Sequence, residues 1–258
     1  MRIVLIGAGR LATNLGRALC KAGHEILCVY SRTLQSAQAL AALTGGEAVN
    51  DIAHIPLQAD VFVVAVKDSV LSDLLPRLTR GRDSQLFVHT AGSMPMSLWE
   101  GLTSHYGVFY PMQTFSKERE ADFREISIFI EANNDDTLSL LQQLAASISP
   151  KVFPLTTEER KYLHLAAVFA CNFVNHCYAL SADILAQHGL PFDVMLPLVD
   201  ETARKVHEMS PQQAQTGPAV RYDQNVMDMQ AALLADHPLI EELYRKLSLS
   251  IYQKSANQ

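Results

Sequence analysis

Three groups of residues in this chain have types and spacings that do chemistry. The first is Gly7-Ala8-Gly9-Arg10-Leu11-Ala12, a G-x-G-x-x-A run that directly follows the apolar Arg2-Ile3-Val4-Leu5-Ile6. An amphipathic segment starts at Arg10 and stops at Gly23. Strand, tight turn and helix in this order make a cradle for a pyrophosphate. Gly7 makes the turn, Gly9 has no Cβ to hold the phosphates off the backbone, and Ala12 lets the helix lie close to the strand. The free N–H groups and the dipole of the helix start attract the negative charge, with Arg10 and Leu11 in the same turn. The second group is Ser31-Arg32-Thr33, at the end of the next apolar run. A dinucleotide fold reads the ribose about 20 residues after its glycines, with an acid where the cofactor is NAD. Here there is no acid, and Arg32 between two hydroxyls suits a 2′-phosphate, predicting a preference for NADP(H) of roughly ten- to a hundredfold.

The third group would face the reacting end of such a cofactor. Val66-Lys67 ends one apolar run, and His89-Thr90-Ala91-Gly92-Ser93 ends another. Ligands in open α/β sheets sit at the carboxyl ends of the strands. Lys67 either touches the cofactor or substrate or lies in solvent. His89 is either a chemical group or a hydrogen-bonded wall, and Ser93 is placed to line the site. Further along, His164, Cys171, Asn172 and Asn175 fall within roughly 100° of arc at helical spacing. They stand on a segment so apolar all round that it reads as buried. They either find partners in the core or across a dimer, or they line a cleft where a C=O or C=N is oriented and protonated. Arg221, after Thr216-Gly217-Pro218-Ala219, either holds an anionic group of the substrate or pairs with Asp223 to fix the turn. Asp223 is also a candidate cap for the helix near Asn225.

The elements that must carry these residues follow from periodicity. Strands are expected at 2–6, 25–30, about 48–49, 60–67, 85–89, 106–113, 126–131 and 150–154. Helices are expected at 10–22, 33–43 and about 134–147. After Leu155 no strand is expected. Thr156 with Glu159 has the form of a capping box opening a helix to about His188, and further helices fall at 192–209, 225–235 and 238–252. The fold class is therefore α/β, a doubly wound and mainly parallel sheet in residues 1–155, followed by an all-helical domain in residues 156–258.

The bulk numbers exclude some functions. A hydrophobic share of 48% and a charged share of 19% describe an ordinary globular chain, and a net charge of −6 argues against nucleic acid or an anionic membrane as partner. The longest apolar stretch, Leu163 to Val174, falls short of a spanning helix. The start shows no signal-peptide pattern, and Cys20, Cys28, Cys171 and Cys177 have no paired spacing. A cytoplasmic chain with reduced thiols and no bound metal is expected.

The chain resembles the Rossmann-like NADP-dependent oxidoreductases with a C-terminal helical domain of unknown function. The resemblance rests on Ile6-Gly7-Ala8-Gly9 with Ala12, Val29 to Thr33, Val66-Lys67-Asp68, His89 to Ser93, Phe109-Tyr110-Pro111 with Gln113-Thr114-Phe115, His164 with Asn172, and Thr216 to Ala219 with Arg221 and Asp223. The wider group it is similar to includes pyrroline-5-carboxylate reductase, ketopantoate reductase, the 6-phosphogluconate dehydrogenase-like enzymes and deazaflavin-dependent oxidoreductases. The resemblance implies NADP(H), an all-α dimerisation domain like that of 6-phosphogluconate dehydrogenase, and hydride transfer to or from a small carbonyl or imine. Two positions depart from relatives: Gln230 stands where they tend to carry a histidine, and Val168 where the ketopantoate enzymes have lysine. The expected cofactor residues are Gly7, Gly9, Arg10, Leu11, Ala12, Ser31, Arg32, Thr33, Val66, Lys67, His89 and Ala91. The expected catalytic residues are Ser93, His164, Asn172 and Asn175, with His164 as proton donor. The rival expectation is a protein that binds NADP(H) and signals its state without turnover. A deazaflavin as second cofactor is a third.

Overall fold

The computed structural model describes residues 1–256. An eight-stranded sheet is built from β1 (Arg2–Ile6), β2 (Glu25–Tyr30), β3 (Glu47–Val49), β4 (Val61–Val64), β5 (Leu86–His89), β6 (His105–Pro111), β7 (Ile128–Ala132) and β8 (Val152–Pro154). The order is β3-β2-β1-β4-β5-β6-β7-β8, parallel throughout except that β6 and β7 run antiparallel. Strand order reverses between β1 and β4, so the carboxyl end of β1 opens on the switch point where such sheets bind ligands.

Alternation along the strands explains why both faces are covered. Ile3, Leu5, Val29, Val61, Val63 and Val88 point to one face, against α1 (Arg10–Lys21), α2 (Leu34–Thr44) and α4 (Asp135–Ala146). Val4, Ile6, Cys28, Phe62, Val64 and Phe87 point to the other, against α3 (Leu71–Thr79) and Trp99. A strand buried on both faces must be apolar at every position, which is why β1, β4 and β5 read as unbroken hydrophobic runs. Each large side chain so buried contributes roughly 1.5–3 kcal/mol. Burial also pushes the Cys28 thiol up to about 12, so it is inert. Buried Arg82 donates to the carbonyls of Pro56, Leu78 and Ile55 and holds the crossover before β4 in place. The sequence reading has no counterpart for α3, whose pattern Pro76 interrupts.

The capping box forms as expected. Thr156 Oγ1 accepts from the Glu159 N–H, and the Glu159 carboxylate accepts from the Thr156 hydroxyl at 2.7 Å and from the Thr156 N–H at 2.9 Å, which in that order hold Glu159 below the usual carboxylate range. It opens α5 (Thr157–Ala167), which passes through a π-helical turn, Val168–Phe173, into α6 (Val174–Gln187). Two expectations for this helix are corrected. It does not run at 100° per residue throughout, because the π turn widens the spiral. Nor is its apolar surface buried within the chain: Leu165, Phe169, Phe173 and Val174 are exposed. Periodicity identifies an apolar helix but not whether the chain's own core or another surface covers it. By length and composition alone the 31 residues Thr157–Gln187 suffice to cross a membrane, more than the shorter stretch read from the sequence.

The chain divides into two compact units, Met1–Cys171 and Asn172–Gln258, so the first turns of the long helix pack with the sheet. The second unit holds α6, α7 (Leu196–Glu208), α8 (Pro211–Ala214), α9 (Gln224–Ala232) and α10 (Pro238–Ala256). Leu180, Ile184, Met195, Leu243 and Leu247 line an apolar groove of about 350 Å³ in it. The capping expected of Asp223 is not made, although Asp223 stands at the N-cap position of α9. Its carboxylate pairs with Arg221 at 3.8 Å instead, beside Tyr222 in the left-handed region (φ 52°). Gln230 accepts from the Tyr244 hydroxyl at 2.7 Å.

Candidate active site

The glycine turn has the geometry that the sequence suggests, with the two glycines doing different work. Gly7 adopts φ +114°, and its N–H donates to the Tyr30 carbonyl at 2.8 Å. A Cβ there would run into the Ala65 carbonyl at the end of β4, so the sheet itself requires this glycine. Gly9 is the N-cap of α1, has no side-chain cap, and a Cβ on it would meet nothing within 4 Å. The space over the helix start is therefore open. The first turn of α1 holds no acid to oppose an anion, Arg10 is exposed beside it, Leu11 is partly exposed, and Ala12 is fully buried against the sheet. These residues fit a pyrophosphate.

At the end of β2, the Ser31 N–H donates to the Val49 carbonyl and Thr33 caps α2 by position, its hydroxyl donating to Ser36 at 2.7 Å. The first turn of α2 also lacks an acid, and Arg32 is exposed with no ion-pair partner among the described residues. That set fits a 2′-phosphate and would repel nothing on it.

The carboxyl ends of β4, β5 and β6 bring together groups far apart in sequence. Val66 is half-buried and Lys67 exposed, and Lys67 leads a short 3-10 turn, Asp68–Val70. The Asp68 carboxylate accepts from the Ser93 hydroxyl at 2.5 Å. His89 is wholly buried. Its Nδ1 accepts from the Ala91 N–H, which leaves Nε2 to donate to the Pro95 carbonyl at 3.3 Å. Burial, then the nearby Arg160 charge, depresses His89 to about 4, so the ring is neutral near pH 7. Both ring nitrogens of His89 are thus taken up by the loop that follows β5. The ring ties the Thr90–Pro95 loop from inside, and Ala91 within that loop is buried.

His164 meets a partner the sequence reading did not single out. Tyr110, near the end of β6, and His164, on α5, share a hydrogen bond of 3.0 Å between Oη and Nδ1, their rings edge-on with centroids 5.9 Å apart. Gly92 makes this meeting possible. A Cβ there would lie 2.5 Å from His164 Nδ1 and 2.9 Å from Tyr110 Cζ. The close approach that Gly92 permits is thus to two side chains of the protein itself. Burial and then the Asp68 charge raise the Tyr110 phenol, against the opposing pull of Arg160, so it keeps its proton near neutral pH. A protonated phenol donating to Nδ1 fixes the imidazole with its proton on Nε2, a nitrogen with no partner among the described residues. Such a histidine can deliver a proton, with a second acid behind it. Asn172 and Asn175 lie in the second unit, both exposed, Asn172 within the π turn. Of the alternatives the sequence leaves them, partners in the core of the chain are excluded, because both are exposed.

Comparison with known proteins gives the family of the chain. Residues 2–93 match the family described as coenzyme F420-dependent NADP oxidoreductase, and residues 126–251 match a domain of unknown function, DUF2520. No curated protein matches the sequence. Among solved structures, a "putative NADP oxidoreductase" from Bacteroides fragilis is 54% identical, with 98% of each chain covered and a TM-score of 0.94. An imine reductase from Myxococcus stipitatus in complex with NADP+ shares the fold at 17% identity, covering 100% of this chain and 93% of its own, with a TM-score of 0.65. A pyrroline-5-carboxylate reductase from Coxiella burnetii does so at 20%, covering 99% and 97%, with a TM-score of 0.60. With a Rossmann sheet carrying a phosphate cradle and a helical DUF2520 region after it, the chain belongs to the NADP oxidoreductase family.

Proposed function

We propose that the protein is an NADP(H)-dependent reductase or dehydrogenase of a small carbonyl or imine, in which His164 protonates the substrate heteroatom. The observation that carries this is the Tyr110–His164 pair held against Gly92 at the strand ends where the cofactor's reactive ring would lie. Gly7, Gly9, Arg10, Leu11 and Ala12 would hold the pyrophosphate, and Ser31, Arg32 and Thr33 the 2′-phosphate. Val66, Lys67 and the Ala91–Ser93 loop shaped by His89 would bound the nicotinamide. NADPH supplies the hydride when bound. In the reducing direction a C=O or C=N bond gains that hydride at carbon and a proton at the heteroatom, giving an alcohol or amine. The proton leaves His164 Nε2 as Nδ1 takes up the Tyr110 phenol proton, so the imidazole stays neutral and the phenolate left behind is reprotonated from solvent. Ser93, held by Asp68, would hydrogen-bond the substrate, and Asn172 and Asn175 are further proposed substrate contacts. We take residues 1–155 as the nucleotide-binding domain and 156–258 as the helical one.

A homodimer through the helical domain is part of this reading. Leu198, Leu233, Leu239 and Leu249 are exposed there, Leu233 at 83%, as are the apolar residues of the long helix. A second copy rather than lipid suits that helix, because its first turns carry a capping box and an ion-paired arginine. All four cysteines are free, which suits the cytoplasm. Titration with NADPH and NADH, followed by cofactor fluorescence, tests the cofactor assignment. Tight NADPH and weaker NADH binding is expected, and no binding of either would end the proposal. Sedimentation tests the dimer, and a monomer at micromolar concentration would refute it.

A further inference from the structure

The ion pair of Arg160 with Glu131 is not accounted for by any of the chemistry above, and it lies behind the site. Arg160 is 1% exposed. Its Nη1 donates to the Glu131 carboxylate of β7, and its Nη2 to the Met94 carbonyl at 2.6 Å and to Thr157 Oγ1 at 3.3 Å. Glu131 also accepts from the Thr157 N–H and hydroxyl, both at 2.8 Å, while the Met96 N–H donates to Thr157 Oγ1 at 3.1 Å. Three segments are thereby tied at one point: strand β7, the start of α5, and the loop after β5.

We propose that Arg160 is the positioning residue of the Tyr110–His164 pair: its guanidinium locks α5 to the Gly92–Met94 loop and so sets the gap in which phenol and imidazole meet. Arg160 precedes His164 by one helical turn, so whatever fixes Arg160 fixes His164 along and around the helix. Met94 follows Gly92 by two residues, and Gly92 is the surface against which both rings rest. β7, which carries Glu131, pairs with β6 so that Phe129 lies opposite Tyr110. The clamp therefore holds the three supports of the pair and touches neither of its rings. Stability alone is a poor reason for such a group, since a buried ion pair rarely outperforms apolar replacements of similar volume. Its Nε–H, moreover, is buried without a partner among the described residues. What apolar side chains cannot reproduce is the fork, which reaches a carboxylate and a backbone carbonyl in fixed directions at once.

This inference rests on the proposed function only for what the pair does, and its test reads geometry directly. Removing the arginine alone would leave the Glu131 charge buried, so the informative protein is the full chain with Arg160→Met and Glu131→Gln together; the glutamine can still accept from Thr157. With ¹⁵N-labelled histidine, the His164 Nδ1 resonance is compared with wild type and with Tyr110→Phe. The expected result is a folded double variant with NADPH affinity within about twofold of wild type and a His164 signal moved to its position in Tyr110→Phe. Where a substrate is in hand, kcat should fall at least tenfold with KM little changed. A folded double variant whose His164 signal coincides with wild type overturns the proposal. If the double variant does not fold, Arg160→Lys keeps the charge but not the fork. It should move the same signal in the same direction, and an unmoved signal overturns the proposal equally. If the signals move as expected but no substrate is ever reduced, the clamp stands and the reductase reading falls.

Discussion

Gly92→Ala tests the heart of the site with a single methyl group. The new Cβ would sit 2.5 Å from His164 Nδ1, 2.8 Å from its Cγ and 2.9 Å from Tyr110 Cζ. Comfortable separations are about 3.5 Å, so the imidazole must retreat by about 1 Å and the phenol by somewhat less. Neither has slack: Tyr110 is in the sheet, and α5 is fastened one turn before His164. A 1 Å retreat stretches the 3.0 Å bond between the rings past any useful length. Overpacking of this kind costs about 1–3 kcal/mol and the lost hydrogen bond about 1 kcal/mol more, so a loss of about 2–4 kcal/mol is expected. A reacting group displaced by about 1 Å should also slow turnover on the order of a hundredfold. Urea unfolding reads the first quantity and the His164 imidazole resonance reads the displacement. NADPH titration serves as the control, since the phosphate cradle is elsewhere. A Gly92→Ala protein within about 0.5 kcal/mol of wild type, with its His164 signal unmoved, would refute the packing of Gly92 against this pair.

Other perturbations separate the parts of the account. Gly7→Ala should fail to fold or lose several kcal/mol, because the Cβ meets the Ala65 carbonyl and φ is +114°, whereas Gly9→Ala should fold with a loss of about 1 kcal/mol or less and bind NADPH poorly; circular dichroism and cofactor titration distinguish them. Arg32→Ala should weaken NADPH by roughly ten- to a hundredfold and leave NADH unchanged, and equal losses for both would remove Arg32 from the 2′-phosphate. The His89 pKa falls to about 4 on folding, below its unfolded value of about 6.5, so the unfolded chain binds the extra proton between those two values. The contribution is therefore fully present above about pH 6.5 and is lost as pH falls toward 4, on the order of 3 kcal/mol in all. Urea unfolding from pH 7 to 4.5 should show this slope and His89→Asn should flatten it, while an identical slope in the variant would show that His89 is not the group responsible.

What could be seen in the sequence was whatever is local. The turn Gly7–Ala12 lies between a strand and a helix that announce themselves within a few residues, and the capping box of Thr156 and Glu159 spans one helical turn. Both appear as expected. The site proper is not local. Tyr110 meets His164 only because β6 lies beside β5 and the chain returns to it 54 residues later. Arg160 finds Glu131 and Met94 in the same way, and no spacing signals either contact. His89 shows the complementary difficulty, since a histidine closing a buried strand has the same letters whether its ring turns outward or inward. The long helix is hidden for a different reason. Its apolar composition is plain in the sequence, but composition does not say which surface covers it, and a π turn leaves no mark in a hydrophobic pattern.

The central claim is that His164 delivers the proton that accompanies hydride transfer. It is tested most directly by incubating deuterium-labelled NADPH with a panel of small cyclic imines and ketones, using wild type and His164→Ala, and following deuterium into product by mass spectrometry. Wild type should label at least one class. His164→Ala should bind NADPH equally well and label it about 10²- to 10⁴-fold more slowly. Labelling at the wild-type rate by His164→Ala would contradict the claim. So would tight NADPH binding by wild type with no transfer to any acceptor in the panel or in a cell extract, which is the behaviour of a sensor.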